Sequence, residues 1–155
     1  MATDNIITAT TVANNILNRA FVNNIPVTPM KLQRLVYFLY KEYYKRTGCL
    51  LFSEEFQTWK TGPVLPSLYA KFGCYGESQI RNYARDAKGK VWRVTETRIL
   101  NESIDKVFAL YGHHSGITLS QLFMGENTAW CKAVMNEQPY LSLEDICNEA
   151  ELYVN

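Results

Sequence analysis

Residues 28 to 48 read TPMKLQRLVYFLYKEYYKRTG and predict a helix with one buried stripe. Thr28 followed by Pro29 suits an N-cap and a first helical turn. Gly48, placed after two basic residues, is a stop signal. The apolar residues that recur at helical spacing are Leu32, Leu35, Val36, Leu39 and Tyr43. We therefore expect this helix to pack its stripe against the other elements of the chain.

The same helix carries a second row of aromatic side chains. Tyr37, Tyr40 and Tyr44 fall at positions i, i+3 and i+7, about a quarter turn or more away from the apolar stripe when each residue advances ~100°. This row is either a contact surface for a partner or the edge of the core with its hydroxyls in water. The pattern leaves both interpretations open.

Residues 56 to 66, FQTWKTGPVLP, predict a short strand that Gly62 and Pro63 end. Glycine allows backbone angles that other residues avoid, and proline fixes its own φ. The turn is therefore expected to hold Trp59 in one orientation beside the tyrosine-bearing helix. Trp59 then belongs either to the core or to a surface offered to a partner.

The remaining periodicity predicts further helices and one hairpin. A first helix over residues 10 to 22 has an asparagine-rich outer face that we expect to be solvated. Other helices are expected after Pro66, over residues 99 to 111, after a capping box at Thr118 and Gln121, after Asn127 or Thr128, and after Ser142. A turn over residues 86 to 89 predicts a β-hairpin between residues 80 and 94. The expected fold is mainly α: a single compact domain over residues 1–155, of about six helices with a small β-hairpin or short antiparallel sheet.

Length, charge and cysteine usage favour one reduced, cytoplasmic, soluble domain. The 155 residues suffice for a core without disulfides. The formal net charge of +1, with no long block of like charge, argues against a nucleic-acid partner. No apolar run approaches the ~20 residues that span a bilayer, so we expect no membrane association. The widely spaced cysteines are expected to be buried or inert thiols: Cys49, Cys74, Cys131 and Cys147.

Motifs for catalysis and metal binding are absent from the sequence. His113 and His114 are adjacent, so they point in different directions, and no third ligand lies nearby. Glycine-rich phosphate loops and nucleophile elbows do not occur. We therefore expect a binding protein, not an enzyme, with no cofactor and no metal. An enzyme with an unrecognised site is an alternative.

Residues 31 to 76 resemble the opening half of the Panacea domain, the family of SocA-like antitoxins. The residues Lys31 to Phe38, KLQRLVYF, match the helix K-L-Q-[KR]-L-[LV]-Y-F of that family. Trp59 to Val64 match its W-x-x-G-P-V turn. A second motif is similar to LSQLFMGENTAW, residues 119 to 130. It matches at Leu119, Ser120, Leu122 and Trp130, whereas Phe123, Met124 and Ala129 stand where the family has Thr, His and Pro.

The resemblance implies a mostly helical antitoxin that neutralises a cognate protein toxin by direct binding. The SocA-like member of the family is also described as an adaptor that delivers its toxin to a cytoplasmic protease, and other members occur in phages and prophages. A phage or prophage protein that binds a host or defence component is therefore an alternative. A DNA-binding role is a weaker one, based on the basic residues near the expected hairpin: Arg81, Arg85, Lys88, Lys90 and Arg93.

The predicted partner-binding residues combine the tyrosine row, the turn and the late tryptophan. They are Tyr37, Tyr40, Tyr44, Trp59, Lys60, Gly62, Pro63, Val64 and Trp130. Large aromatic side chains bury ~150–250 Å² each, enough to dominate a core or an interface.

Overall fold

Seven α-helices and two short strands make up residues 7 to 155, the part of the chain that the computed structural model describes. The helices are α1 (Ala9–Val22), α2 (Pro29–Thr47), α3 (Pro66–Phe72), α4 (Arg98–Tyr111), α5 (Gly116–Gln121), α6 (Ala129–Met135) and α7 (Leu143–Asn148). The strands are β1 (Gln57–Trp59) and β2 (Gly62–Val64), and single 3₁₀ turns cover Gly73–Tyr75 and Leu122–Met124. The expected mainly helical domain with a short antiparallel sheet is confirmed. Within residues 7 to 155 no helix has the length and hydropathy that crossing a bilayer requires.

The central element of the fold is α2, which is buried on all sides. Every residue from Lys31 to Glu42 is buried, and α2 contacts α1, α3, α4, α5, α7 and β2. Four members of the predicted apolar stripe are fully buried, Leu32, Leu35, Val36 and Leu39, whereas Tyr43 is half-buried. Complete burial is typical of helices that are apolar all round. Because α2 also carries lysine, glutamine and arginine, these polar side chains need partners inside the protein.

The polar side chains of α2 bind the backbone of neighbouring segments. Lys31 Nζ donates hydrogen bonds to the carbonyl oxygens of Pro26 at 3.2 Å and Gly112 at 2.6 Å. The Gln33 amide donates to the carbonyl of Leu65 at 3.1 Å and accepts from its N–H at 2.9 Å. Among residues 7 to 155, every buried side-chain nitrogen or oxygen has a hydrogen-bond partner. Burial without such partners would destabilise the fold, so these residues fix the segments around α2.

Asn14 and Asn15 of α1 are buried, so the prediction of a solvated asparagine face is wrong for these two residues. The Asn14 amide donates to the carbonyls of Ala84 and Trp92 at 3.0 and 2.9 Å, and accepts from the N–H of Ala84 at 2.9 Å. The Asn15 amide donates to the carbonyl of Val94 at 2.8 Å and accepts from its N–H at 2.7 Å. Two side-chain amides thus bind a loop backbone as a neighbouring strand would.

The strand predicted within residues 56 to 66 forms as β1, whereas its partner β2 lies in the residues predicted to end it. β1 and β2 pair antiparallel, with Trp59 opposite Gly62, so Gly62 and Pro63 lie within β2 and do not end the extended segment. Between residues 80 and 94 the predicted turn forms, since the N–H of Asp86 donates to the carbonyl of Lys90 at 2.8 Å. The residues on either side of this turn form one isolated bridge, between Arg85 and Val91, and no strand. The side-chain amides of Asn14 and Asn15 bind backbone groups of Ala84, Trp92 and Val94 that a hairpin would otherwise pair.

Side-chain caps begin most of the helices where the sequence places them. Thr28, Thr128 and Ser142 are N-caps, each accepting a hydrogen bond from the backbone N–H three residues ahead. The capping box at Thr118 is wrong, because Ser115 is the N-cap of α5 and accepts from the N–H of Thr118 at 3.1 Å. The N-cap of α5 therefore lies three residues before its predicted position.

Glu149 joins the end of the described chain to α2 and α6. Its carboxylate, in a residue only 4% exposed, accepts hydrogen bonds from Lys41 Nζ at 2.9 Å, the Tyr37 hydroxyl at 3.0 Å and the N–H of Ala129 at 2.8 Å. Burial raises the pKa of Tyr37 well above its ordinary value. Burial also lowers the pKa of Lys41, and the Glu149 carboxylate opposes that shift. The charge of Glu149 further suits the N-terminus of α6.

Replacing Glu149 tests this buried ion pair. The substitution Glu149→Gln keeps the shape of the side chain but leaves the Lys41 ammonium without its carboxylate. We expect the free energy of unfolding to fall by about 3–5 kcal/mol, measured by urea denaturation at neutral pH. The matched control is Glu144→Gln in the exposed first turn of α7, where we expect a loss of at most about 1 kcal/mol. Equal losses for the two variants would contradict the role assigned to Glu149.

Candidate partner-binding surface

The side chain of Arg34 fixes the turn between β1 and β2. Arg34 is 1% exposed, and its Nε donates to Ser120 Oγ at 2.8 Å. Its Nη2 donates to the carbonyl of Thr61 at 2.9 Å, and its Nη1 donates to the carbonyl of Pro63. Burial lowers the pKa of Arg34 to about 10, so the guanidinium is still charged at neutral pH. We call Arg34, Thr61, Pro63 and Ser120 the arginine clamp.

Gly62 lies against the arginine clamp and has no space for a side chain. Its φ of +135° is one that other residues rarely adopt, and a Cβ there would lie 2.9 Å from Arg34 Cζ. Glycine is therefore needed at position 62 for two reasons. Its backbone conformation disfavours other residues, and the guanidinium beside it leaves no space for a Cβ.

Trp59 lies half-buried at the end of β1, next to this turn. Its indole Nε1 donates to Gln57 Oε1 at 2.8 Å, and its ring centroid lies 4.9 Å from that of Tyr69 at an interplanar angle of 57°. Tyr140 lies opposite Gln57 in an antiparallel bridge. Tyr69 is 57% exposed and Tyr140 is 44% exposed. The ring partner of Trp59 thus comes from α3, not from the tyrosine row of α2 beside which it was predicted.

Trp130, the tryptophan of α6, contacts β1 although it lies 71 residues further along the chain. It is half-buried, and its indole Nε1 donates to the carbonyl of Trp59 at 2.8 Å. The aromatic surface is defined here by the following residues: Gln57, Trp59, Tyr69, Trp130 and Tyr140. Its members come from β1, α3, α6 and the segment after α6, so it forms only when these elements are packed together.

The predicted row of surface tyrosines does not form. Tyr37 is fully buried and Tyr40 is 6% exposed, so a surface role for these two is wrong. Both rings pack edge-on against Phe56, with centroids 5.1 and 5.2 Å apart. Tyr44, near the end of α2, is half-buried. The physical reason is that the segment before β1 covers the face of α2 that the helical wheel leaves free.

The predicted partner-binding residues that follow Trp59 differ in burial. Lys60 is exposed, whereas Gly62, Pro63 and Val64 are buried. Of the predicted partner-binding residues in this turn, only Trp59 and Lys60 have side chains that reach the surface. Gly62 and Pro63 act on that surface indirectly, by way of the arginine clamp.

Sequence reasoning missed Arg34, Tyr69, Gln57 and Tyr140. The two-residue spacing of Gln57 and Trp59 is a signal that could have placed both on one face of a strand. Tyr140 and Arg34 carry no such signal, because their partners are distant in sequence.

Residue types suited to catalysis are scattered over the described chain. His113 is exposed and His114 is half-buried in the turn after α4. Cys49, Cys74 and Cys147 are exposed, so of the expected buried or inert thiols these three are not buried. Across residues 7 to 155, no three His, Cys, Asp or Glu side chains form a group that could hold a metal ion.

The comparison with protein families identifies the class of protein. The family described as "Antitoxin SocA-like, Panacea domain" matches residues 32–131, and the chain belongs to this family. The resemblance of the sequence motifs is thereby confirmed. Antitoxin SocA of Caulobacter vibrioides (strain NA1000 / CB15N) is 37% identical over 76 residues, which cover 49% of this chain and 40% of that protein. The match thus spans less than half of the curated relative, and no solved structure matches the chain.

The two motifs that carry the resemblance contact each other in the fold. Arg34 of the first motif donates a hydrogen bond to Ser120 of the second, and Trp130 of the second donates one to the carbonyl oxygen of Trp59 in the first. Phe123, at a position where the motif departs from the family, is fully buried, with the Arg34 guanidinium 5.5 Å from its ring centroid. The departure therefore fills space beneath the arginine clamp.

Substitution of Gly62 tests the clamp. In Gly62→Ala the new methyl group meets the Arg34 guanidinium in an unfavourable backbone conformation, and we expect a loss of about 2–4 kcal/mol in the free energy of unfolding. Gly48→Ala is the matched control, because Gly48 also has a positive φ but no atom lies within 4 Å of its added Cβ. We expect the control to lose about 1–2 kcal/mol in the same urea titration. A control loss as large as that of Gly62→Ala would contradict the steric role of Arg34.

The pH dependence of stability tests the burial of Tyr40. Burial raises the pKa of Tyr40 to about 12, whereas an unfolded tyrosine titrates near ~10. The neutral phenol therefore contributes its full stability below about pH 10, and this contribution is lost as the pH rises through about 12. Tyr40→Phe lacks this ionisable group, so its free energy of unfolding should fall less over that window than that of the unsubstituted protein. The difference between the two proteins should reach about 1.4 kcal/mol per unit of pKa shift. Urea titrations across the window measure the difference, and parallel curves would contradict it.

Proposed function

We propose that this chain is a cytoplasmic antitoxin that neutralises a protein toxin by binding it through the aromatic surface. The observation that carries the proposal is the half-buried Trp59, held by hydrogen bonds on both its side chain and its carbonyl oxygen. Membership of the SocA-like antitoxin family supports it.

The fixed orientation of Trp59 favours binding. Its indole is bonded to Gln57, its carbonyl to Trp130, and the turn that follows it is held by Arg34. Ordering a free side chain at an interface costs about 0.5–1.5 kcal/mol, and a side chain that is already ordered avoids most of this cost.

The composition of the aromatic surface also suits a protein partner. Tryptophan and tyrosine are enriched at the energetic centres of interfaces, where they bury large areas and keep one polar atom for a hydrogen bond. Tyr69 and Tyr140 expose much of their side chains next to Trp59. Lys60, exposed beside Trp59, places a positive charge at the edge of this surface, where it can steer an acidic partner.

Co-expression tests the antitoxin function. The product of the neighbouring gene is expressed alone and together with this chain, and cell growth is measured. We expect the neighbour to arrest growth alone and the pair to restore it. A neighbour without toxicity, together with co-purification of a host or defence protein, would instead support the phage-type alternative. The amount of toxin during rescue separates sequestration, which keeps the toxin level, from delivery to a protease, which lowers it.

Truncation of Trp59 tests the surface itself. We expect Trp59→Ala to weaken binding of the purified toxin by about 2 kcal/mol or more, measured by calorimetry. Tyr153→Ala is the matched control, because Tyr153 is an aromatic residue 59% exposed outside the aromatic surface. Thermal unfolding of both variants accompanies the titration. Unchanged affinity in a folded Trp59→Ala protein would overturn the proposed site.

A further inference from the structure

A second concave surface lies between α1, α3, the start of α4 and the loop over residues 84 to 97. It encloses about 940 Å³, near the upper end of the ~300–1,000 Å³ typical of ligand sites. We call it the loop groove. None of the predicted partner-binding residues lines it.

The floor of the loop groove is apolar and its outer wall is fixed. Leu51, Ala84 and Leu100 are buried residues of the floor. The wall is the loop whose backbone is bound by the amide of Asn14, itself 1% exposed. A groove with a fixed wall loses little entropy when a ligand enters it.

The rim of the loop groove is positively charged. Four exposed cations line it, and a single carboxylate accompanies them: Lys71, Arg85, Lys90 and Arg93 with Asp86. Within residues 7 to 155, none of the four cations forms a salt bridge. The rim therefore has an excess of positive charge, although the whole chain has a net charge of only +1.

The carboxylate of Asp86 is already engaged by the loop itself. Its Oδ1 accepts hydrogen bonds from the N–H groups of Lys88 and Lys90 at 2.9 Å, and its Oδ2 accepts from Trp92 Nε1 at 2.9 Å. These bonds leave the half-buried Trp92 ring at the mouth of the groove, with Lys90 Nζ 4.1 Å from its centroid. An aromatic ring and cations thus meet at one place on the rim.

We propose that the loop groove binds an acidic peptide segment of a partner protein, with its carboxylates on the rim cations and an apolar side chain on the floor. Long, exposed lysine and arginine side chains suit carboxylates at variable positions along a peptide. An apolar floor suits the side chains between them, whereas duplex DNA would present phosphates to a surface without inserting bases into such a groove. The site goes beyond the antitoxin function proposed above, because it shares no residue with the aromatic surface.

The experiment uses a fluorescein-labelled peptide that alternates Glu with Leu and Phe, titrated with the full chain and followed by fluorescence anisotropy. A peptide with Lys in place of Glu is the control ligand. We expect the acidic peptide alone to bind, with an affinity that falls as salt rises because the interacting charges are exposed. Equal binding of the basic peptide would overturn the proposal, as would displacement of the acidic peptide by duplex DNA at matched charge concentration.

Charge reversal locates the binding. The double variant Lys90→Glu and Arg93→Glu should weaken binding roughly tenfold or more, and Lys71→Glu on α3, whose ammonium donates to the Arg85 carbonyl at 3.3 Å, should also weaken it. Arg81→Glu is the matched control, because Arg81 is exposed but does not line the groove. Unchanged affinity in both folded groove variants would overturn the proposal. Trp59→Ala should leave the peptide affinity unchanged, so this result is independent of the fate of the proposed toxin-binding site.

Discussion

The hydrogen bonds of the Arg34 guanidinium hold together the parts of the protein that lie far apart in sequence. They reach from α2 to the turn between the strands and to Ser120 in α5. The position of Trp59 follows from that turn, and the position of Phe123 follows from the guanidinium above it. A single planar group with several donors can satisfy carbonyls from one segment and a hydroxyl from another, which an ammonium cannot do in the same geometry.

Burying such a charge costs free energy, and a hydrophobic residue of similar size could have filled the same space. What the buried polar side chains provide is a defined arrangement of the backbone around α2. Three polar side chains donate to particular carbonyl groups, so each requires one arrangement of the backbone around it. These side chains are Lys31, Gln33 and Arg34. We infer that α2 specifies the order of the surrounding segments as well as stabilising them. This explains why the recognisable part of the sequence contains polar residues in the middle of a buried helix.

The helical periodicity was sufficient to predict where most helices lie, because local apolar spacing and side-chain caps act within a few residues. Thr28 and Ser142 illustrate this, since each caps a helix with its own hydroxyl. Burial depends on contacts distant in sequence, and here prediction failed. Tyr37 is covered by Phe56 and Glu149, and neither contact leaves a trace in the spacing of α2. Part of the candidate site could be predicted from local sequence. The turn that follows Trp59 identified that residue, whereas only the folded structure places Tyr140 beside β1.

Between Ala84 and Val94 the amides of Asn14 and Asn15 bind peptide groups alone, although Asn15 also donates to the Glu96 carboxylate beyond them at 3.4 Å. Any residue other than proline offers the same peptide N–H and carbonyl, so these bonds place no demand on the side chains between Ala84 and Val94. The scaffold can therefore tolerate wide variation in the outward-facing chemistry of this loop at little energetic penalty. A molecule built in this way can change what it recognises while its architecture stays the same.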